Sequence, residues 1–392
     1  MRKNKFLHSL PLKLWLLLAA ILVLTFFSND FGLVDIQKTA IILAAGIDRT
    51  EEGFELTAQI AVPKGSDRTT GGTSSMEIGG QGATVSDCVS QIYAKTGWVP
   101  KFVFCDLILL GEDAARAGAF DALDFFLRNE YAPDSCLLAV CEGRAADVLG
   151  AKSAVDDASS LALEKLFSDA AKKSGRVMTT TLREFAIGYY GVSASGSMPY
   201  VRMQPQQGAQ GAQGGAGAQN RGQSGGQNEQ EMIFSAEQTA IFTEGKMAGI
   251  LNEAETLAFS LLGGNVYGGT LPAEGATLSV LRNDGSVTVS AEDGISAALN
   301  ISLKVRLVNR STPAAPSDVA KGAVTAEERA AAEKALEEAM RSLWTRCAET
   351  GCDLFFLYRE LYRRSRADYG KWKDTPLSAF AVEISVSVEG LR

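Results

Sequence analysis

A long apolar stretch near the start of the chain gives way to short runs of two different periods. Residues 14–27 carry no charge, and Thr25 is their only polar member. Leu14, Trp15, Leu16, Leu17, Leu18, Ile21, Leu22, Val23, Leu24, Phe26 and Phe27 supply the bulk. Extended back to Leu10, with Lys13 reaching toward the headgroups, the run is about 18 residues, close to the ~20 a spanning helix needs. Arg2, Lys3 and Lys5 precede it, which predicts that end in the cytoplasm and everything after Asn29 outside. Phe26 and Phe27 stand where a small-residue cleavage pair would precede Ser28, so the segment reads as an uncleaved anchor rather than a signal peptide.

Past the anchor, periods of two and 3.6 alternate. Residues 39–48 and 54–62 read as a hairpin around a polar RTEEG connection, and residues 65–82 as a Gly/Ser/Thr-rich loop. Thr84 with Asp87 marks a helix start, with Val85, Cys88, Val89, Ile92 and Tyr93 on its apolar side. Residues 102–110 are almost continuously apolar and predict a strand covered on both faces. It breaks at Gly111-Glu112 into a helix running to about Leu127, whose stripe is Ala119, Phe120, Leu123, Phe126 and Leu127. A strand over 135–141, one helix over 156–174 and another over 181–190 follow.

Residues 204–230 hold almost no apolar bulk and many glycines, too little to offset the entropy of ordering, and predict a disordered linker. The remainder predicts a hairpin (239–243 and 247–251), a helix from Asn252, and strands at 277–281, 286–291 and 296–308, with Arg282-Asn283-Asp284-Gly285 as a hairpin turn. A capping box at Thr325 and Glu328 starts a long helix to about Cys347. A helix over 354–366 and a strand over 381–388 close the chain. The class is α+β: an anchor helix followed by two or three mixed α/β domains, their antiparallel or mixed sheets flanked by helices. The divisions are 1–30 anchor, 31–202 first domain, 203–231 linker and 232–392 second domain.

Composition narrows the chemistry. The net charge of −8 over 392 residues, with no basic stripe, argues against nucleic acid. The single histidine, His8, precedes the apolar run, so the globular part can build no His triad, His zinc site or His base. An enzyme built from carboxylates, Lys or Cys remains open. Ser193-Ala194-Ser195-Gly196-Ser197 has no His to activate it and no Ser-x-x-Lys follows a credible strand, and Glu51-Glu52 and Asp156-Asp157 read as a turn and a helix start. Six cysteines show no CxxC pair, and Cys347 with Cys352 is the best candidate for a local bridge. No cofactor is expected.

The block from Phe102 to Asp134 carries the most specific pattern: a hydrophobic strand, Gly111-Glu112, Ala115-Arg116, Gly118, then Leu123-Asp124-Phe125 and Arg128. This resembles the signature of the Ger(x)C family, the C subunit of bacterial spore germinant receptors. The resemblance extends to Gly46-Ile47-Asp48, Met198-Pro199-Tyr200-Val201, Gly249, Leu251, Glu255, Thr256 and Asp353. It implies that Gly46, Asp48, Gly111, Glu112, Arg116, Gly118, Asp124, Arg128, Pro199 and Asp353 are structural or interface positions. On the residues alone, the charges of the block read either as a solvated helix face or as a polar cluster fixing the strand-to-helix angle. The family usually carries a lipobox cysteine near the anchor; none precedes Cys88 here, so the apolar helix has to supply the anchoring.

By resemblance the chain is a non-enzymatic subunit on the outer face of the spore inner membrane, docking with two multi-span receptor subunits. The alternative is a free-standing, anchored ligand-binding or sensor domain. Exposed charges near Glu112, Arg116 and Arg128 and the aromatic group 358–362 are candidate docking features.

Overall fold

The computed structural model describes residues 10–28, 39–62, 74–129, 131–156, 158–206, 231–292, 294–310 and 323–391. Most of the Gln/Gly-rich stretch, Glu130 and Asp157 lie outside the described residues. The chain divides into two compact units, Met1–Thr39 and Ala40–Arg392. The first contains α1 (Leu10–Ser28), whose side chains from Leu14 to Val23 are exposed. Among the described residues no helix is long and apolar enough to cross a membrane.

The second unit holds two sheets. Among the described residues, the first has ten strands, of which eight follow the order β10 (Lys246–Leu251), β9 (Met232–Thr243), β8 (Ser195–Pro205), β6 (Leu137–Cys141), β5 (Leu107–Gly111), β1 (Thr39–Thr50), β2 (Gly53–Val62) and β3 (Ser74–Gly82). Short strands β4 (Val99–Lys101) and β7 (Thr180–Thr181) pair with β1 and β6. The centre β1, β5, β6 and β8 is parallel, and the flanks are antiparallel.

Strict alternation sends Ile108, Leu110, Leu138 and Val140 to one face and Leu107, Leu109, Ala139 and Cys141 to the other. The first face is covered by α2 (Val85–Thr96), α3 (Glu112–Arg128) and α7 (Leu182–Tyr190). The second is covered by α4 (Ala145–Leu149) and α5 (Ser159–Leu166). Burial on both sides explains why these central strands read as continuous apolar runs.

The second sheet, β11 (Thr270–Ala273), β12 (Ala276–Ser290), β13 (Ser296–Arg310) and β14 (Ala381–Gly390), is covered on one face only. Along β13, Leu299, Ile301, Leu303 and Val305 are buried while Ser302, Lys304 and Arg306 are exposed. The cover is α8 (Glu253–Leu262), α9 (Ala326–Thr350) and α10 (Leu357–Arg364), through Leu261, Leu336, Met340, Leu343 and Leu361.

Several sequence expectations are corrected. The strand expected at 102–110 begins only at Leu107: the Cys105 N–H donates to the Phe102 carbonyl, closing a turn that leaves Val103 and Phe104 exposed. The loop expected at 65–82 ends as strand β3. Its Gly80 is required by packing, since a Cβ there would lie 2.3 Å from the Cys88 carbonyl of α2. The single helix expected at 156–174 is two, α5 and α6 (Asp169–Lys173), because Ser168 leaves the helix and caps the second.

The hairpin turn expected at Arg282–Gly285 is the middle of β12, which pairs with β13 along its whole length. Asn283 is turned inward, donating to the Leu261 carbonyl and accepting from the Val266 N–H at 2.9 Å. Gly285 lies against Leu262, whose carbonyl a Cβ would meet at 1.9 Å. The helix expected at 354–366 starts at Leu357, after Phe356 at φ +54°, and a separate α11 (Arg366–Trp372) follows.

Candidate functional site

Five of the ten family-motif positions, Gly46, Asp48, Gly111, Glu112 and Arg116, gather where the parallel strands end. Ile47 of β1 is in register with Leu110 of β5, which brings Asp48 beside Gly111. The Asp48 carboxylate is buried and accepts from the N–H groups of Ala145 at 2.7 Å and Ala146 at 3.0 Å, capping α4. Burial pushes its pKa above the ordinary 3.8, outweighing the two N–H donors and the nearby Arg144. No side chain fits at Gly111, where a Cβ would sit 2.1 Å from Asp48 Oδ1. At Gly46 it would press on Leu149 at 2.9 Å and Ala145 at 3.1 Å of the same short helix.

The next residue ties in the following elements. The Glu112 N–H donates to the Gly143 carbonyl, and its carboxylate accepts from the Tyr200 hydroxyl at 2.7 Å and from Arg116 at 2.6 and 3.0 Å. Desolvation acts to raise Glu112, but the Tyr200 and Arg116 hydrogen bonds outweigh it and hold the group below its ordinary value. Burial, then the same carboxylate, pushes the Tyr200 phenol up. Arg144 with Glu55 and Arg202 with Glu142 complete the surrounding ion pairs. The cluster joins β1, β5, β8, α3 and α4, and each of the acids named has a partner. Of the two readings of the charged block, the polar cluster that fixes the strand-to-helix angle fits Glu112 and Arg116.

Further along α3, Gly118 adopts φ +156°, and the helix kinks there. The freed Ala119 N–H donates to the Gly245 carbonyl at the β9–β10 turn. Asp124 and Arg128 pair on the surface at 2.7 Å and line an open cleft of about 820 Å³ with Arg49, Phe54, Phe120 and Phe125, closed at one side by the start of α2. Pro199 sits in β8 opposite Thr239, next to Tyr200 in the chain.

Asp353 lies elsewhere, fully buried. It accepts from Ser193 Oγ at 2.6 Å and from the Leu357 and Tyr358 N–H groups, while its own N–H donates to Ser195 Oγ. It caps α10 and uses the serine-rich turn as a strut, so those serines are structural. Burial raises Asp353 despite these donors. Tyr358 of the aromatic group donates to the Thr375 carbonyl, and burial pushes it up to about 12.

Sequence reasoning missed Tyr200 as a partner of Glu112, and Arg346, which reaches the wholly buried Glu255 at 3.0 and 3.1 Å together with Ser342 at 2.6 Å. The only signal for the second was the Asn252–Glu255 capping box, whose acid is more apolar in setting than a surface cap. The six cysteines are unbridged and buried, Cys347 and Cys352 included. Burial pushes Cys352 up to about 12, so it is a thiol at neutral pH. No cluster able to hold a metal is found among the described residues.

The architecture defines a two-sheet α/β protein in which Asp48 and Asp353 accept from the first N–H groups of helices and Glu112 bonds Tyr200 and Arg116. Two family models match it in order: the spore germination protein N-terminal domain over residues 33–203, and the spore germination B3/GerAC-like C-terminal domain over residues 237–390. The chain belongs to this Ger(x)C family of spore germination proteins, the germinant-receptor C subunits, and that membership implies a role in spore germination. The crystal structure of the GerBC protein has a similar fold, with a TM-score of 0.51 and 17% identity over 89% of this chain and 97% of that one. No curated protein matches the chain.

Proposed function

We propose that the chain is a membrane-anchored, extracytoplasmic subunit of a nutrient germinant receptor, working by contact with two multi-span membrane subunits. The observation that carries this is the match of both family models, in order, over nearly all of the chain after the apolar run. The charged motif residues support a non-enzymatic role, since Asp48, Glu112 and Asp353 are engaged by helix N–H groups, Tyr200, Arg116 and serine hydroxyls. In this reading residues 1–30 anchor the chain, with its soluble part on the outer face of the spore inner membrane. Residues 31–202 and 232–392 are its two domains, joined by the 203–231 linker.

The test is purification of the chain, tagged at Arg392, from detergent-solubilised dormant-spore membranes. Two multi-span proteins should accompany it. Recovery alone, in detergent that preserves another membrane complex, would favour the second reading, a free-standing anchored sensor. The open cleft between α2 and α3 is what favours that alternative.

A further inference from the structure

One end of the first sheet is built unlike a solvent-facing end. β1, β5 and β6 are parallel and in register from Ala44, Leu107 and Leu137, so the segments before β5 and β6 leave the sheet where β1 enters it. The Asp106 N–H donates to the Leu43 carbonyl and the Leu137 N–H to the Asp106 carbonyl, fastening these segments side by side. The turn before β5 is held from inside. Phe102 is buried edge-on against Phe125 and Phe126, and Cys105 is buried at the other end. The two corner positions between them are Val103 and Phe104, 51% and 56% exposed.

Turn corners ordinarily take Gly, Pro, Asn, Asp or Ser, each for a backbone reason. Nothing in the turn's geometry calls for two large apolar side chains pointed into water. A second turn beside it, closed by the Ala132 N–H on the Asn129 carbonyl, exposes Tyr131, with the Lys101 ammonium 4.8 Å above its ring. Trp98, just ahead of β4 on β1, is also exposed.

We propose that this end, with Val103, Phe104, Trp98 and Tyr131, seats in the headgroup–acyl boundary of a lipid bilayer. Apolar corners rimmed by Trp, Tyr and a lysine are what that boundary favours, because an amphipathic ring or stem places its polar end in the headgroups. The occupant follows from the chain's course. Only residues 29–38 lie between the apolar helix and Thr39, at most ~36 Å of extended chain, and Thr39 begins the strand that enters the sheet at this end.

Of the cations nearby, Arg128 pairs with Asp124, Arg183 pairs with Asp134, and Lys101 lies over the Tyr131 ring. The contact is therefore apolar and needs no anionic lipid. The inference rests on the anchored reading above.

The full chain, reconstituted into phosphatidylcholine vesicles, carries an environment-sensitive fluorophore at Val103→Cys or Phe104→Cys, with Val308→Cys as the exposed control. The six native thiols are buried and stay unlabelled. Doxyl-labelled lipid should quench positions 103 and 104 and leave 308 bright, at high and low salt alike. A label-free version uses Trp15→Phe: brominated lipid should quench its tryptophan emission, and adding Trp98→Phe should abolish the effect. If the chain floats with vesicles but positions 103, 104 and Trp98 stay unquenched, this seating is wrong while anchoring stands. If it does not float, both readings fail together.

Discussion

At the scale of single residues, Asp48 concentrates the strand-end cluster. Truncation to Ala removes two acceptors from the start of α4 and should cost about 2 kcal/mol, read from the urea midpoint. Asp48→Asn separates charge from shape. Because burial raises the folded pKa above the ordinary 3.8, the native state holds more protons than the unfolded chain from about pH 3.8 up to that raised value. The wild-type contribution therefore falls as pH rises through the window. Asn resembles the protonated acid, so the stability of Asp48→Asn relative to wild type should climb across the same range. A flat difference would show that Asp48 does not titrate there.

Gly118 makes a different single-residue demand. Its φ of +156° is one that L side chains rarely adopt, and a Cβ would also lie 3.2 Å from Asp121 Oδ2. Gly118→Ala should cost about 1–2 kcal/mol, although alanine favours helices elsewhere. A stabilised variant would mean that the α3 kink is not held by the Ala119–Gly245 hydrogen bond.

At the scale of elements, what could be read in advance was what local chemistry decides. The capping patterns read at Thr84 and Thr325 both mark helix starts in the structure, and the helices expected from Thr181 and Asn252 also begin with capping boxes there. The hairpin at Glu244-Gly245 forms with both residues at positive φ. Signals failed where a distant partner overrode them. The Asn-Asp-Gly of 283–285 looks like a turn until Leu261, Leu262 and Val266 claim Asn283 and Gly285. Likewise Val103 and Phe104 look like strand interior because apolar periodicity cannot distinguish a buried run from an exposed apolar corner. Among the site residues, the resemblance pointed to Asp48, Glu112 and Asp353, but their partners Ala145, Tyr200 and Ser193 come from remote segments.

Glu255 and Arg346 show the same dependence on distant packing, here between α8 and α9. Arg346 itself is partly exposed, and Glu255 keeps the Ser342 hydroxyl and the Asn252 N–H as donors, so Arg346→Met should cost about 1–3 kcal/mol. Desolvation acts to raise Glu255, but Arg346 and Ser342 outweigh it and hold it below the ordinary 4.5. That stability is present above about pH 4.5 and is lost as pH falls through the lower folded value. The penalty of Arg346→Met should thus shrink in acid, measured by denaturant unfolding at pH 3–7.

At the scale of the whole molecule, the Gln/Gly-rich stretch separates the two family segments in sequence but does not separate the strands on either side of it. β8 and β9 pair as far as Pro205 and Met232, and the Gln206 N–H donates to the Glu231 carbonyl just beyond. Strands β9 and β10, encoded after the stretch, complete the sheet begun before it, while Ile241 and Leu251 also join the core of the second sheet. β9 and β10 thus send side chains into the cores of both sheets, Ala240, Phe242 and Met247 to the first and Ile241 and Leu251 to the second, and the ladder closes without residues 207–230. Loop-closure entropy grows by about 0.6 kcal/mol per doubling of length, so cutting that stretch to a quarter, two halvings, should stabilise the fold by about 1 kcal/mol. A single cooperative unfolding transition with a higher midpoint is the expected result. Destabilisation by several kcal/mol would mean that the stretch makes contacts of its own. Two separate transitions would mean that the shared β8–β9 ladder does not couple the halves.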